Sequence, residues 1–262
     1  MTKWFHKCSL EWLKARQKYL TATDVKELLP VTKTGRKRTV GDEAYLKVFA
    51  RKMVNITEDD CLSTGVAARG HILEPYAIDR YNEEDLGSNT YLYHWDDIVV
   101  TRINPDPFSL AFSPDAMSYE FKPVGKQVTV AIDGVTTIGE VKSYSPEKHM
   151  VCGHTPKDQL EERWQIATAM AVCASIDEAY LLFYNPSMRN QLYIVDYDRS
   201  DLADEIGMVL DVEQDWIAWV TNFGKLDAHY TVAGKIDEEE AIIRNIMKHE
   251  ELNPEGEKSV VR

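Results

Sequence analysis

Apolar residues recur at helical spacing over residues 9–19, where Leu10, Trp12, Leu13 and Ala15 form one side and Ser9 can cap the first turn. A polar turn, Leu20-Thr21-Ala22-Thr23-Asp24, then opens a short helix over 25–29, with Thr21 or Thr23 as its cap and Pro30 as its stop. Asp42 caps a third helix running to about Met53, with Ala44, Tyr45, Val48 and Phe49 inward. Residues 63–84 read as one long helix, in which Gly65 and Gly70 cost stability. The pattern then shortens to strands over 91–100 and 110–117. A hairpin follows: 127–132, an Asp133-Gly134 turn, then 135–141. Helical spacing returns from Pro156 or Lys157 to about Ser175. Strands over 179–184 and 191–197 flank Asn185-Pro186-Ser187, and helices over 201–220 and 237–250 close the chain before a polar tail. This order predicts an α/β fold with a mostly antiparallel strand group and a helical C-terminal extension.

The chain has 262 residues, 44% hydrophobic and 28% charged, enough for a full core. No run of 18 apolar residues exists, so no membrane span is expected. The amphipathic start, residues 1–14, lacks a signal-peptide core. Cys8, Cys61, Cys152 and Cys173 are scattered without a C-x-x-C pair, which points to reduced thiols in a cytoplasm rather than to zinc or disulfides. The net charge of −13 counts against a nucleic-acid binder, unless the basic residues line one channel of a protein that is acidic outside. The loop 33–38, Lys-Thr-Gly-Arg-Lys-Arg, is basic. Arg36, Lys37 and Arg38 could grip a nucleic-acid backbone or simply be solvated.

The chemistry-bearing stretch is Ser113-Pro114-Asp115-Ala116, followed by Gly139-Glu140-Val141-Lys142. Strand residues two apart share a face, so Glu140 and Lys142 point together while Val141 points into a core. If Asp115 ends a neighbouring strand, two carboxylates and an amine converge. Two hard oxygen ligands suit Mg²⁺, and an amine beside them can steady a water or a phosphate oxygen. The same E-x-K could be an exposed ion pair of little worth. Glu74 lies among the apolar positions of its helix and needs a partner, a metal or a Lys. Gln165 sits beside the buried side of its helix, where it could bond a phosphate, a metal-bound water or a structural partner. Arg16 precedes the second helix, whose start could hold a phosphate or carry an ordinary cap.

Taken together these blocks resemble the phage lambda exonuclease and YqaJ-like viral recombinase nucleases of the PD-(D/E)xK superfamily. The resemblance runs from about Trp12 to Tyr197. It rests on Ala15-Arg16 with Leu20-Thr21-Ala22-Thr23, Ala68-Arg69-Gly70 with Glu74, Ser113-Pro114-Asp115, Glu140-x-Lys142, Gln165 with Met170, and Tyr184-Asn185-Pro186-x-Met188. It implies a restriction-endonuclease-like core, a central mixed sheet flanked by helices. Residues 1–200 would be the nuclease domain, with 201–262 as a helical extension packed on it. Asp115, Glu140 and the Val141 backbone carbonyl would bind one or two Mg²⁺ ions, with Mn²⁺ able to substitute. Glu74 would join directly or through water. Lys142 would position or deprotonate the attacking water, and Gln165 would stand beside it. Arg16 and Thr23 match a pair that holds a terminal 5′-phosphate, and Lys148 falls where another phosphate-binding cation can sit.

The implied activity is 5′→3′ digestion of one strand of linear double-stranded DNA. It would make 3′ overhangs for a single-strand annealing protein in phage-type recombination, in the cytoplasm of a bacterial host. A trimeric ring would reconcile the acidic surface with a DNA channel. The longer 121–137 excursion and the sequence after Tyr197 depart from the family pattern and bear on such a ring. Two other readings stand: an endonuclease on the same fold, and a retired nuclease fold that binds DNA or protein.

Overall fold

The computed structural model describes residues 9–32, 37–54, 66–84, 90–95, 98–106, 108–119, 128–132 and 134–227. Helix α1 spans Leu10–Gln17, and the Ser9 hydroxyl accepts the Trp12 N–H at 3.2 Å. Helix α2, Ala22–Leu28, starts earlier than the apolar pattern suggests. Its cap is Thr21, whose N–H and hydroxyl both donate to Asp24 Oδ2, at 2.9 and 2.7 Å. Helix α3 is Asp42–Met53, with Gly41 rather than Asp42 as the capping residue. Helix α4 is Val66–Glu84 and contains Pro75. Residues 63–65 of the expected helix, and the whole expected helix over 237–250, lie outside the described residues.

Each of the first two expected strands is split between two sheets. Residues 91–100 yield β1, Tyr93–His94, and β2, Val99–Thr101; residues 110–117 yield β3, Ala111–Phe112, and β4, Ala116–Met117. Strand β5 is Thr129–Ala131 and β6 is Thr137–Lys142. Helix α5, Pro146–His154, then precedes a 3-10 turn at Lys157–Gln159 and helix α6, Arg163–Val172. Strands β7, Glu178–Tyr184, and β8, Leu192–Asp198, follow. Helix α7, Ala203–Asp227, completes the described chain.

The larger sheet has the order β1-β4-β6-β7-β8 and the smaller β3-β2-β5. Strand β6 is antiparallel to β4 and parallel to β7, so the central sheet is mixed. The expected hairpin across Asp133-Gly134 does not form: β5 runs parallel to β2 in the small sheet, while β6 enters the large one. Gly134, at φ +81°, turns the chain between sheets. Alternation in 127–141 marks strands, but burial elsewhere chooses their partners.

One face of the large sheet is covered by α4: Ala77, Ile78 and Tyr81 pack with Ala116, Val141, Leu182 and Leu192. The other face is covered by α2, α6 and α7, where Met117, Ile138, Leu181 and Phe183 meet Val25, Ile166, Met170, Val209 and Trp216. Arg102 joins the small sheet to α7 through two bonds to Glu213, at 2.7 and 2.8 Å; Glu213 also accepts the Leu110 N–H at 2.7 Å. Cys152 and Cys173 are buried free thiols. Among the described residues no helix is long and apolar enough to cross a membrane.

Candidate active site

Strands β4 and β6 pair Ala116 with Gly139 and Met117 with Ile138. Continued by one residue, that register sets Asp115 across from Glu140, where regular pairing ends. Directly opposed residues have Cβ atoms about 4.5–5.5 Å apart. Two bonds tie Asp115 there: its N–H donates to the Gly139 carbonyl at 3.2 Å, and its Oδ2 accepts the Val141 N–H at 2.7 Å. The Asp115 residue is 5% exposed. Gly139 permits the close approach, since a Cβ there would lie 3.0 Å from Leu92 Cδ1 and 3.2 Å from the Ala116 Cβ.

Val141 packs on the α4 side, so its neighbours on β6 face α6. Lys142 Nζ donates to Glu140 Oε1 at 2.5 Å, and Gln165 Nε2, from the first turn of α6, donates to the same oxygen at 3.0 Å. The structure thus brings Asp115, Glu140, Lys142 and Gln165 together. Glu74 is buried too, but it comes to the sheet on α4, from the opposite face, and its Oε1 lies 2.9 Å from His71 Nδ1. Among the described residues no group of three or more His, Cys, Asp or Glu side chains is placed to hold a metal.

The pair Asp115 and Glu140 nevertheless fits a hard divalent cation in kind. Two carboxylates opposed on adjacent strands repel each other unless cations compensate, and Lys142 supplies one positive charge for two negative ones. The donors are oxygens only, the preference of Mg²⁺ and Mn²⁺.

A second polar group adjoins this one; of its members only Lys148 was foreseen from sequence. The Tyr144 hydroxyl donates to Glu162, just before α6. Lys148 on α5 stands 3.5 Å over the Tyr144 ring and 3.8 Å from Glu162 Oε1. Burial pushes the Glu162 carboxyl up, but Tyr144, its own backbone, Lys148 and Lys26 outweigh this and hold it below its usual value. Burial, then Glu162, raises the Tyr144 phenol well above its ordinary range. Lys26 on α2 lies 3.9 Å from Glu161 Oε1. The sequence signals were present: Ser145-Pro146-Glu147 announces α5, and Glu161-Glu162 directly precedes an apolar helix.

The residues expected at the strand end lie on α1 and α2. The Arg16 guanidinium stacks 4.4 Å over the Trp12 ring, and Thr23 is exposed in the first turn of α2. Beneath them Lys52 reaches Asp24 at 2.5 Å. Of the basic loop, Arg36 lies outside the described residues, and Lys37 is exposed and bridges to Val31. Arg38 is exposed, and its guanidinium donates to the carbonyls of Leu29, Glu27 and Lys26, at 2.7, 2.6 and 3.2 Å, which caps the end of α2.

No family model and no curated protein matches this chain. Among solved structures it is similar to an alkaline exonuclease, LHK-Exo, from Laribacter hongkongensis, at 17% identity and a TM-score of 0.57. It is likewise similar to LHK-Exo in complex with dAMP, at 18% identity and a TM-score of 0.57. Each match covers 85% of this chain and 100% of the exonuclease. At such identity the likeness shows a shared fold: this chain and LHK-Exo have the same architecture, here a central mixed sheet flanked by helices.

Proposed function

We propose that this chain is a metal-dependent deoxyribonuclease that digests one strand of linear double-stranded DNA from its 5′ end. The observation that carries the reading is Asp115 set across from Glu140, with Lys142 and Gln165 both on Glu140 Oε1, in a fold shared with an exonuclease solved in complex with dAMP. One or two Mg²⁺ ions, or Mn²⁺, held by Asp115, Glu140 and the Val141 carbonyl would neutralise the scissile phosphate and make a bound water acidic. The protein's own groups do the rest. Gln165 and Lys142 fix the Glu140 carboxylate. The Lys142 ammonium orients the attacking water in line with the phosphorus and steadies the negative charge that develops. Glu74 would join the metal's ligands directly or through water.

Hydrolysis breaks the bond between phosphorus and the 3′-oxygen. The released mononucleotide keeps its 3′-hydroxyl, and the shortened strand keeps a 5′-phosphate. Arg16 and Thr23 hold that phosphate, so each cut regenerates the end the enzyme recognises, while Lys148 offers a further cation. The products are 3′ overhangs, substrates for a strand-annealing protein in phage-type recombination. A homotrimeric ring would place basic residues in a channel and the acidic surface outside.

The test is digestion of end-labelled linear duplex, with 5′-phosphate and 5′-hydroxyl ends compared and a closed circle alongside. The expected result is mononucleotide release from phosphorylated linear duplex, a surviving circle, and loss of activity on chelation or in Lys142→Ala. A cut circle turns the reading to an endonuclease. DNA binding without any release in Mg²⁺ or Mn²⁺ turns it to a binding module.

A further inference from the structure

Helix α2 carries two polar side chains one turn apart, Thr23 and Lys26. Residues three apart share a helix face, with Cβ atoms about 5–6 Å apart. Thr23 belongs to the proposed strand-end pair. Lys26 reaches the segment just before α6. Its Nζ lies 3.9 Å from Glu161 Oε1, beyond hydrogen-bonding distance, with the side chain 25% exposed. Among the described residues its ammonium makes no other ion pair and no hydrogen bond. Glu161 stands one turn before Gln165, which donates to Glu140. Burial lowers the Lys26 pKa; after it, the charges that act on Lys26 are those of Glu161, Lys142, Glu162 and Glu140.

Lys52 shows what a structural lysine looks like in this same region. Its side chain is 6% exposed and its ammonium sits 2.5 Å from Asp24, fully committed. Lys26 is half-buried at the polar centre, yet its donors are unspent. Unspent ammonium donors facing a cluster of carboxylates suit an anionic group that arrives with a ligand.

We propose that Lys26 grips the scissile phosphate, the one next to the terminal phosphate held by Arg16 and Thr23. This rests on the nuclease reading above. Helix α2 then acts as a ruler: Thr23 marks the strand end and Lys26, one turn on, marks the bond to be cut. A single strand advances about 3.4 Å per nucleotide along a duplex axis and more when unstacked, a step comparable to one helical turn. The ruler would set the product at one nucleotide per cut.

The test uses the full chain. Lys26→Ala and Lys26→Arg are assayed for kcat and KM on 5′-phosphorylated linear duplex. Binding to the same duplex is measured against salt in a Lys142→Ala background, and each variant's melting temperature is recorded. Lys26→Ala is expected to lower kcat/KM at least about tenfold and to reduce the salt slope of binding by about 0.7–0.9, the loss of one phosphate contact. Lys26→Arg is expected to restore both. An unchanged salt slope with kcat/KM within about twofold of wild type overturns the proposal. So does a Lys26→Arg variant of normal melting temperature that fails to restore binding. Should Lys26→Ala not fold, Lys26→Gln carries the same measurements. Wild-type protein that is folded yet neither binds nor cuts linear duplex refutes the nuclease reading itself, and the Lys26 proposal with it. Loss confined to Lys26→Ala, or its absence there, bears on Lys26 alone.

Discussion

The carboxylate of Asp115 accepts the backbone N–H of Val141 at 2.7 Å, so one candidate acid is pinned to the residue that separates the other acid from its lysine. The bond couples the β4 terminus to β6 and leaves Glu140 and Lys142 projecting on the α6 side. It also gives Asp115 two separable tasks, as a hydrogen-bond acceptor and as a charge.

Substitution can split those tasks. Asp115→Asn keeps an oxygen acceptor for Val141 and removes the charge; it should melt close to wild type while nuclease activity falls at least about a hundredfold. Asp115→Ala also leaves the Val141 N–H unpaired in a buried position, adding a stability loss of about 1–3 kcal/mol. Denaturant titration beside an activity assay reads both. An Asp115→Asn variant with full activity would remove Asp115 from the chemistry.

Glu213 supports the fold away from the site. It is buried and accepts from Arg102 and from the Leu110 N–H. Glu213→Ala strands the half-buried guanidinium and a backbone N–H together, at a cost of about 3–5 kcal/mol. Glu213→Gln retains an acceptor and should lose clearly less. Urea midpoints of the two variants, compared with wild type, check the order.

Acid sensitivity follows from Asp24. Burial pushes its carboxyl up, but Lys52 and Thr21 outweigh that and hold it below the usual 3.8. A carboxyl with a lowered folded-state pKa adds stability that is present above the unfolded value and is lost as pH falls through the folded one. Wild-type stability should therefore decline as pH drops below about 4. Asp24→Asn, which leaves buried Lys52 unpaired, should be much weaker near neutral pH. The gap between the two proteins should narrow on acidification. A gap independent of pH would mean that the pair contributes nothing through its charge.

Helix α5 approaches β8 closely at Gly153. A Cβ there would lie 2.5 Å from two atoms of the Tyr193 ring. Gly153→Ala should cost about 1–3 kcal/mol by overpacking, and Tyr193→Ala in the same chain should recover part of that. A double-mutant cycle of melting temperatures measures the coupling. Because α5 carries Lys148, the single variant should also weaken DNA binding, whereas the double variant should bind better than the single.

Much of this molecule was legible in the chain itself. Apolar residues at helical spacing located α1, α3, α4, α6 and α7, although α6 is buried on nearly every side. The two-residue spacing of Glu140 and Lys142 placed both on one face of β6, since the strand period is two. Ser113-Pro114-Asp115 reads as part of one strand over 110–117, and the structure sets it between β3 and β4.

Partners were not legible, because strand patterning records which residues are buried and not what they are buried against. The Asp133-Gly134 signal suggested a hairpin, yet β5 and β6 went to different sheets. Nothing local in Lys26, Tyr144 or Glu162 announces a site; they meet because α2, α5 and α6 pack on one face of the large sheet. The buried Glu74 carboxylate was foreseen, while its neighbour His71, 2.9 Å away, comes from the same helix. The order of elements and the face of each side chain are local properties, set by backbone geometry. Which charges stand together depends on how helices close over the sheet, and that packing is decided by the whole core at once.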